Sequence, residues 1–268
     1  MGRAKHEGAA DDAAKRDRVF DGLADKFAAG LYGTPRGAIR LAVLEHVLPR
    51  ELPADARPAL DVGAGLGQMS EWLAWRGHAV TLVEPSRDMR ERAMARVAGL
   101  AVTPLDATWQ TLAERAPGPW GLIVCHAVLE WLAEPRDAFA RLASLLAPGG
   151  YLSVMVFNRD ALRFSNVVKG NLAKALDDRL EGLGKRQRLT PISPLTDAQV
   201  RAWSQEAGLS LVSVTGVRIF HDYLADRDVS PEKLDQLIAL ECRYCQQDPH
   251  WRLGRYLHYT LFKPETAS

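Results

Sequence analysis

Cysteine is scarce in this chain. The three that occur, Cys125, Cys242 and Cys245, are too few for the disulfide framework that small secreted domains use in place of a large core. Charge of one sign is lacking as well: 34 basic and 33 acidic residues leave a net charge of +1, so a polyanionic partner has to be read by a local patch rather than drawn in by the whole surface. No apolar run reaches the roughly 18 residues that a membrane-spanning helix needs. The opening stretch MGRAKHEGAADDAAKRDR has no signal-peptide core, and His6 stands where a myristoylation signal carries Ser or Thr. Residues 1–16 therefore read as a disordered lead-in. The CRYC pair at Cys242 and Cys245 has the spacing of half a zinc site, but no second pair and no His-x-His motif accompanies it, and no metal is expected. These absences suit a cytoplasmic protein without a membrane span, and no internal repeat is visible.

What is present is enough apolar material for one large core: 47% of 268 residues are hydrophobic, which suits a single domain over residues 17–268. Helical periodicity runs from Val19 to Leu48, interrupted by the turn-rich LYGTPRGAIR, and suggests a helical cap over residues 17–57. From Ala59 onward, strands and helices alternate: ALDVGAGLG, HAVTLVEP, LAVTPLDA, WGLIVCHAVLEW, GGYLSVMVFN, LSLVSVTGVRIF and RYLHYTLFKP read as seven strands. Residues 159–195, polar, basic and marked by proline, break this alternation and read as an insertion after the fifth strand. Repeated βα units predict an α/β fold with a mostly parallel sheet, helices on both faces, and a ligand crevice beyond the carboxyl ends of the strands.

Four strand ends carry chemistry into that crevice. Gly63, Gly65 and Gly67 allow the backbone to turn tightly and approach a ligand without Cβ atoms in the way. Glu84 closes the second strand, where a carboxylate can accept both hydroxyls of a ribose. Asp106 and Ala107, at the end of the third strand, offer a carboxylate and a backbone N–H to an adenine, although Asp106 is equally suited to cap the next helix. His126 ends the fourth strand, as a ligand contact or as a satisfied structural histidine. Glu130 and Trp131 follow it as braces of the loop.

DVGAGLG, the acid in LVEP and the turn LLAPGG resemble the class I S-adenosylmethionine-dependent methyltransferases, whose fold is Rossmann-like. FDGLADKFAAGLYGTPRGAIR, CHAVLEWLAEPR, TGVRIFHDYL, LECRYCQQDP and LGRYLHY carry a narrower resemblance, to the bacterial tRNA 5-carboxymethoxyuridine methyltransferases. It implies S-adenosyl-L-methionine as cofactor, the tRNA anticodon arm as partner, and esterification of the carboxymethoxy group of the wobble uridine. Carried over position by position, the family's cofactor contacts fall on Arg40, Gly63, Ala64, Glu84, Ala107, Thr108 and His126. The loop departs from the family's commoner GGGEG, and Glu84 stands where an Asp is frequent. Arg40, otherwise read as an exposed helix charge, would bind the methionine carboxylate.

A carboxylate acceptor is ionised at neutral pH, so no general base is expected and no catalytic acid or base is assigned. The site has instead to position oxygen, methyl and sulfur in line and to clamp the acid. Candidates for that clamp and for holding the base are Tyr32, Arg218, His221, Arg243, Tyr244, Arg255 and Tyr256, because arginine beside an aromatic suits a flipped base. Packing and surface charge are the plainer alternatives for each. Lys185, Arg186 and Arg188 form a basic run suited to phosphates or to a solvated loop. Asn166 and Asn171 fit base reading and helix capping alike. The other functions compatible with the cofactor motifs are a small-molecule O- or N-methyltransferase and a non-catalytic cofactor-binding regulator.

Overall fold

The computed structural model describes residues 17, 18, 20, 22, 24–27, 33–181, 191–227 and 229–265. The elements follow in the order α1 (Ala24–Phe27), α2 (Pro35–Glu51), β1 (Ala59–Val62), α3 (Gln68–Trp75), β2 (Val80–Val83), α4 (Arg87–Arg96), β3 (Val102–Leu105), α5 (Leu112–Arg115) and β4 (Trp120–His126). Then come α6 (Pro135–Leu145), β5 (Leu146–Phe157), α7 (Arg159–Val168), α8 (Leu172–Leu176), α9 (Asp197–Glu206), β6 (Ser210–Val217), α10 (Pro231–Tyr244) and β7 (Tyr256–Phe262). The seven strands form one sheet in the order β3-β2-β1-β4-β5-β7-β6. All neighbouring pairs are parallel except those made by β7, which is antiparallel to β5 and β6.

The short apolar runs ALDV and LIVC form central strands because both of their faces are covered. On one face Leu60, Ile123, Val154 and Tyr259 pack with Phe139 and Leu142 of α6. On the other, Leu122, Val124 and Met155 meet Ile39, Val43 and Val47 of α2, Leu73 of α3 and Leu237 of α10. Alternate residues of β4, β5 and β7 on this second face are polar: His126, Ser153, His258 and Thr260 are all buried beneath α2. The strand order reverses between β1 and β4, and the ends of these two strands open the crevice.

Three local expectations are corrected. TPRGAIR is not a turn: Pro35 opens α2 at a position where its fixed φ and missing N–H cost nothing, and Arg40 lies on that helix. The segment APGG is drawn into β5, whose first residue Leu146 already pairs with Trp120 across an irregular register. The start of the 159–195 segment is helical rather than irregular, because the Asn158 side chain accepts from the Asp160 amide and caps α7. Asn166 bonds to the Leu162 carbonyl and to Asn171, which accounts for both amides locally. Thr196 and Gln199 form a reciprocal cap that starts α9.

Gly216, in β6, lies against the turn at 250–253. A Cβ there would come within 2.3 Å of the Trp251 carbonyl oxygen and 2.6 Å of Ile219 Cγ2. Gly216→Ala is expected to destabilise the fold by about 2 kcal/mol through overpacking; a urea midpoint equal to that of the parent would contradict this packing.

Candidate active site

Arg40, Gly63, Ala64, Gly65, Glu84, Thr108 and His126 line one cleft at the carboxyl ends of β1, β2 and β4. Gly63 and Gly65 have φ of +68° and +58°, a region that penalises side chains. A Cβ on Gly63 would sit 2.4 Å from Val128, whereas the space over Gly65 is open. The Gly65 amide donates to Glu84 Oε2 at 2.8 Å and the Ser86 amide donates to Oε1 at 2.9 Å, so the acid at the end of β2 also braces the glycine loop. Burial pushes the Glu84 carboxyl up to about 7, against the pull of the Ser86 and Gly65 amides. Ala107 is buried in the core below the cleft. Asp106 is exposed and pairs with Arg90 at 3.1 Å, and it caps no helix.

Several polar groups in the cleft have no partner within the protein, which is what a polar ligand requires. Both amide atoms of Gln68 and the Nδ1 of His126 are buried and unbonded, and both residues line the cleft. The buried guanidinium of Arg40 sits 5.4 Å from the ring centre of Tyr256. A glycine cradle, a ribose-sized carboxylate and a buried cation fit a nucleoside that carries an amino-acid end, as S-adenosylmethionine does. Beneath them Asp61 accepts from the Ser70 hydroxyl at 2.6 Å, and burial raises its carboxyl to about 6. Glu130 is fully buried with neither oxygen hydrogen-bonded. Burial raises it to about 8, opposed by nearby backbone amides and by Arg40.

The wall of the cleft contains residues the sequence reading passed over. Asp17 accepts from the Trp109 indole at 2.9 Å, the Gln110 amide at 2.7 Å and the Ala133 backbone at 2.7 Å. It ties the segment ahead of α1 across the cleft, where Phe20 meets Trp131 edge to face. Asp17 matches no motif, and its partners lie about a hundred residues away, so local sequence carries no signal for it.

Beyond Tyr256 lies a second group of buried charges. Arg218, Asp222 and Arg255 are 5%, 4% and 7% exposed. The guanidinium of Arg218 forks onto Asp222 at 2.8 and 2.7 Å, and Arg255 donates to Ser165 at 3.2 Å and lies 3.4 Å from Asp222. Two cations face one anion. Arg218 is also 5.7 Å from the centre of the Tyr256 ring, so a single aromatic separates it from Arg40. Its backbone has φ of +61°, which is costly for a long side chain. Glu241 of α10 holds the turn that follows: its two oxygens accept from the amides of Ile219, Phe220 and His221 at 2.7, 3.0 and 3.0 Å. His221 is buried with both ring nitrogens unbonded. Burial and then the Arg255 and Arg227 charges lower the Lys169 ammonium below its usual range, a sign of a cationic field around this group.

The candidates do not all converge. Tyr244 packs with Phe220 and His250, and Arg243 is exposed over the Tyr244 ring. Tyr32, Lys185, Arg186 and Arg188 lie outside the described residues. Among the described residues no group of three or more His, Cys, Asp or Glu could hold a metal ion, and no helix is long and apolar enough to cross a membrane.

The sheet order and the glycine-lined cleft at its switch point define a class I methyltransferase. A family model described as a methyltransferase domain matches residues 37–214. The tRNA 5-carboxymethoxyuridine methyltransferase of Escherichia coli strain K12 is 40% identical over 261 residues, 94% of this chain and 98% of the relative. The chain belongs to that family of methyltransferases. It is also 33% identical to the ubiquinone biosynthesis O-methyltransferase of Xylella fastidiosa strain 9a5c, over 84% of this chain and 92% of the relative. Among solved structures, a Thermotoga maritima S-adenosylmethionine-dependent methyltransferase, described as a possible histamine N-methyltransferase, superposes with a TM-score of 0.59. That match covers 91% of this chain and 98% of the other at 17% identity, a likeness of fold alone.

Burial of carboxyls has a consequence for stability. Above about pH 7.5 the buried histidines are neutral in folded and unfolded chains alike. Glu84 and Glu130, raised to about 7 and about 8, still hold protons that the unfolded chain has released. The folded state binds more protons in that window, so stability falls as pH rises. The ligand-free protein is expected to lose about 1 kcal/mol between pH 7.5 and 9, and Glu130→Gln to flatten the slope. Denaturant titrations across this window check it; stability rising with pH would contradict it.

Proposed function

We propose that this protein transfers the methyl group of S-adenosyl-L-methionine to the carboxylate of 5-carboxymethoxyuridine at the wobble position of tRNA, position 34, giving the methyl ester 5-methoxycarbonylmethoxyuridine. The fold hosts many acceptors, so the reading rests on the 40% identity that spans 94% of this chain and 98% of the Escherichia coli relative. When bound, the cofactor supplies a methyl group on a sulfonium centre, open to in-line attack by a nucleophile.

The chain's own part is positioning. Arg40 would hold the cofactor's carboxylate, Glu84 its ribose, and Thr108 with the Ala107 backbone its adenine. The acceptor carboxylate is ionised at neutral pH and needs no base to activate it. Arg218 and Arg255 would clamp that carboxylate. Asp222, already bonded to Arg218, tempers the clamp so that the ionised ground state is not held too tightly. Tyr256, whose ring lies within 5.7 Å of both the Arg40 and the Arg218 guanidinium, brings cofactor and acceptor together. His221 has two free ring nitrogens for a base edge, and the positive field around Lys169 and Arg227 suits the phosphates of an anticodon arm. The setting is the cytoplasm, where the tRNA is.

Incubation with labelled S-adenosylmethionine and tRNA carrying 5-carboxymethoxyuridine is expected to yield a base-labile methyl ester at the wobble nucleoside. Label in a small-molecule acceptor and none in tRNA would sink the assignment. Arg218→Lys removes the planar fork and is expected to lower kcat/KM for tRNA by about tenfold or more while cofactor binding is unchanged. Equal loss of both would place Arg218 in the cofactor site instead.

A further inference from the structure

The buried polar row beneath α2 contains a connected chain that the proposed reaction does not use. The Nε2 of His126 lies 2.8 Å from the Ser153 hydroxyl, and the same hydroxyl lies 2.8 Å from the Nε2 of His258. The two rings stand edge to face with centres 5.3 Å apart, and Ser153 and His258 are fully buried. A serine hydroxyl has one proton, which it donates to one of these nitrogens while accepting from the other. Both imidazoles are neutral at physiological pH, because burial lowers each of them. One ring therefore carries its proton on Nε2 and the other on Nδ1, and the chain has only two arrangements.

Charges at the two ends select between them. Arg40 lines the same cleft as His126, whose Nδ1 is the unbonded nitrogen, and its positive field disfavours a proton there and favours a lone pair. Glu51 is bonded to Thr260, two residues along β7 from His258, and its negative field favours a proton on the unbonded Nδ1 of that ring. Its carboxylate is held in place by the Thr260 hydroxyl at 2.6 Å and the Gln246 amide at 2.5 Å. Both fields orient the chain the same way. We infer that Ser153 and His258 are positioning residues that fix the proton of His126 on Nε2, leaving its Nδ1 lone pair to accept a hydrogen bond from the ammonium group of the cofactor's amino-acid end. This rests on the methyltransferase reading of the cleft. It divides the work on that zwitterion: Arg40 takes the carboxylate, His126 the ammonium, and the serine prevents the imidazole from presenting a proton to a cation.

Long-range proton–nitrogen correlation spectra of ¹⁵N-histidine protein without cofactor, assigned with His126→Asn and His258→Asn, test this directly. The expected result is His126 protonated on Nε2 and His258 on Nδ1; the reverse pattern, or an imidazolium at either ring, overturns the inference. In Ser153→Ala the His126 ring is expected to become a mixture of tautomers and S-adenosylhomocysteine, which keeps the ammonium, to bind about five- to tenfold more weakly. Ser153→Thr is expected to restore both. Unchanged affinity with a single tautomer in Ser153→Ala also overturns it. Neither readout uses tRNA, so failure of ester formation would count against the acceptor and leave the relay standing, and a wrong tautomer would leave the acceptor standing.

Discussion

Ionisable side chains buried between α2 and the sheet constrain how this molecule is put together. An isolated charge in such a place is costly, and it persists only when it is paired, hydrogen-bonded or neutralised. The protein uses all three solutions. Glu51 is bonded by Thr260 and Gln246, Glu130 has no such partners and holds its proton more strongly than an ordinary carboxyl, and the histidines stay neutral around a shared hydroxyl. Arg40 is the cation of this layer, set against Asp61 and Glu130, and a ligand carboxylate would complete its surroundings.

Tyr256 divides the cleft from the second cationic group and also joins them. Because β7 runs antiparallel between β5 and β6, its first residue lies beside the last residues of both, Phe157 and Val217. That register sets one ring near two guanidinium groups. Arg218 follows immediately on β6 in a backbone conformation that favours glycine, and the three amides captured by Glu241 oppose relaxation of the turn. Strain stored beside a binding group and compensated by buried hydrogen bonds is a common arrangement at functional sites.

The cleft at the ends of β1, β2 and β4 was legible in the linear chain because its parts are local. A glycine loop, an acid at the end of the next strand and a histidine at the end of another each follow directly on a strand whose apolar run announces it. Their meeting follows from the geometry of parallel strands. The cationic group around Asp222 was legible only as a set of candidates. Arg218, Arg255 and Arg243 look alike in sequence, each near an aromatic, yet two share Asp222 and the third faces solvent. Asp106 read equally well as a ligand or a cap, and its pairing with Arg90 depends on how α4 packs.

Composition, alternation and the strand-end motifs were sufficient by themselves for an α/β sheet with a crevice at its strand ends, because these depend on the period of the chain and on residues close to one another in it, and the family came from the resemblance of longer stretches. Tertiary structure alone decided which polar groups are buried without partners. Gln68, the Nδ1 of His126, Glu130 and His221 are ordinary in sequence, and their condition arises from helices and strands packed over them. It also decided the joining of Asp17 to Trp109 and of Ser153 to two histidines. Whether a polar atom finds a partner is set by the positions of distant backbone and side chains, and local residue order has no access to that.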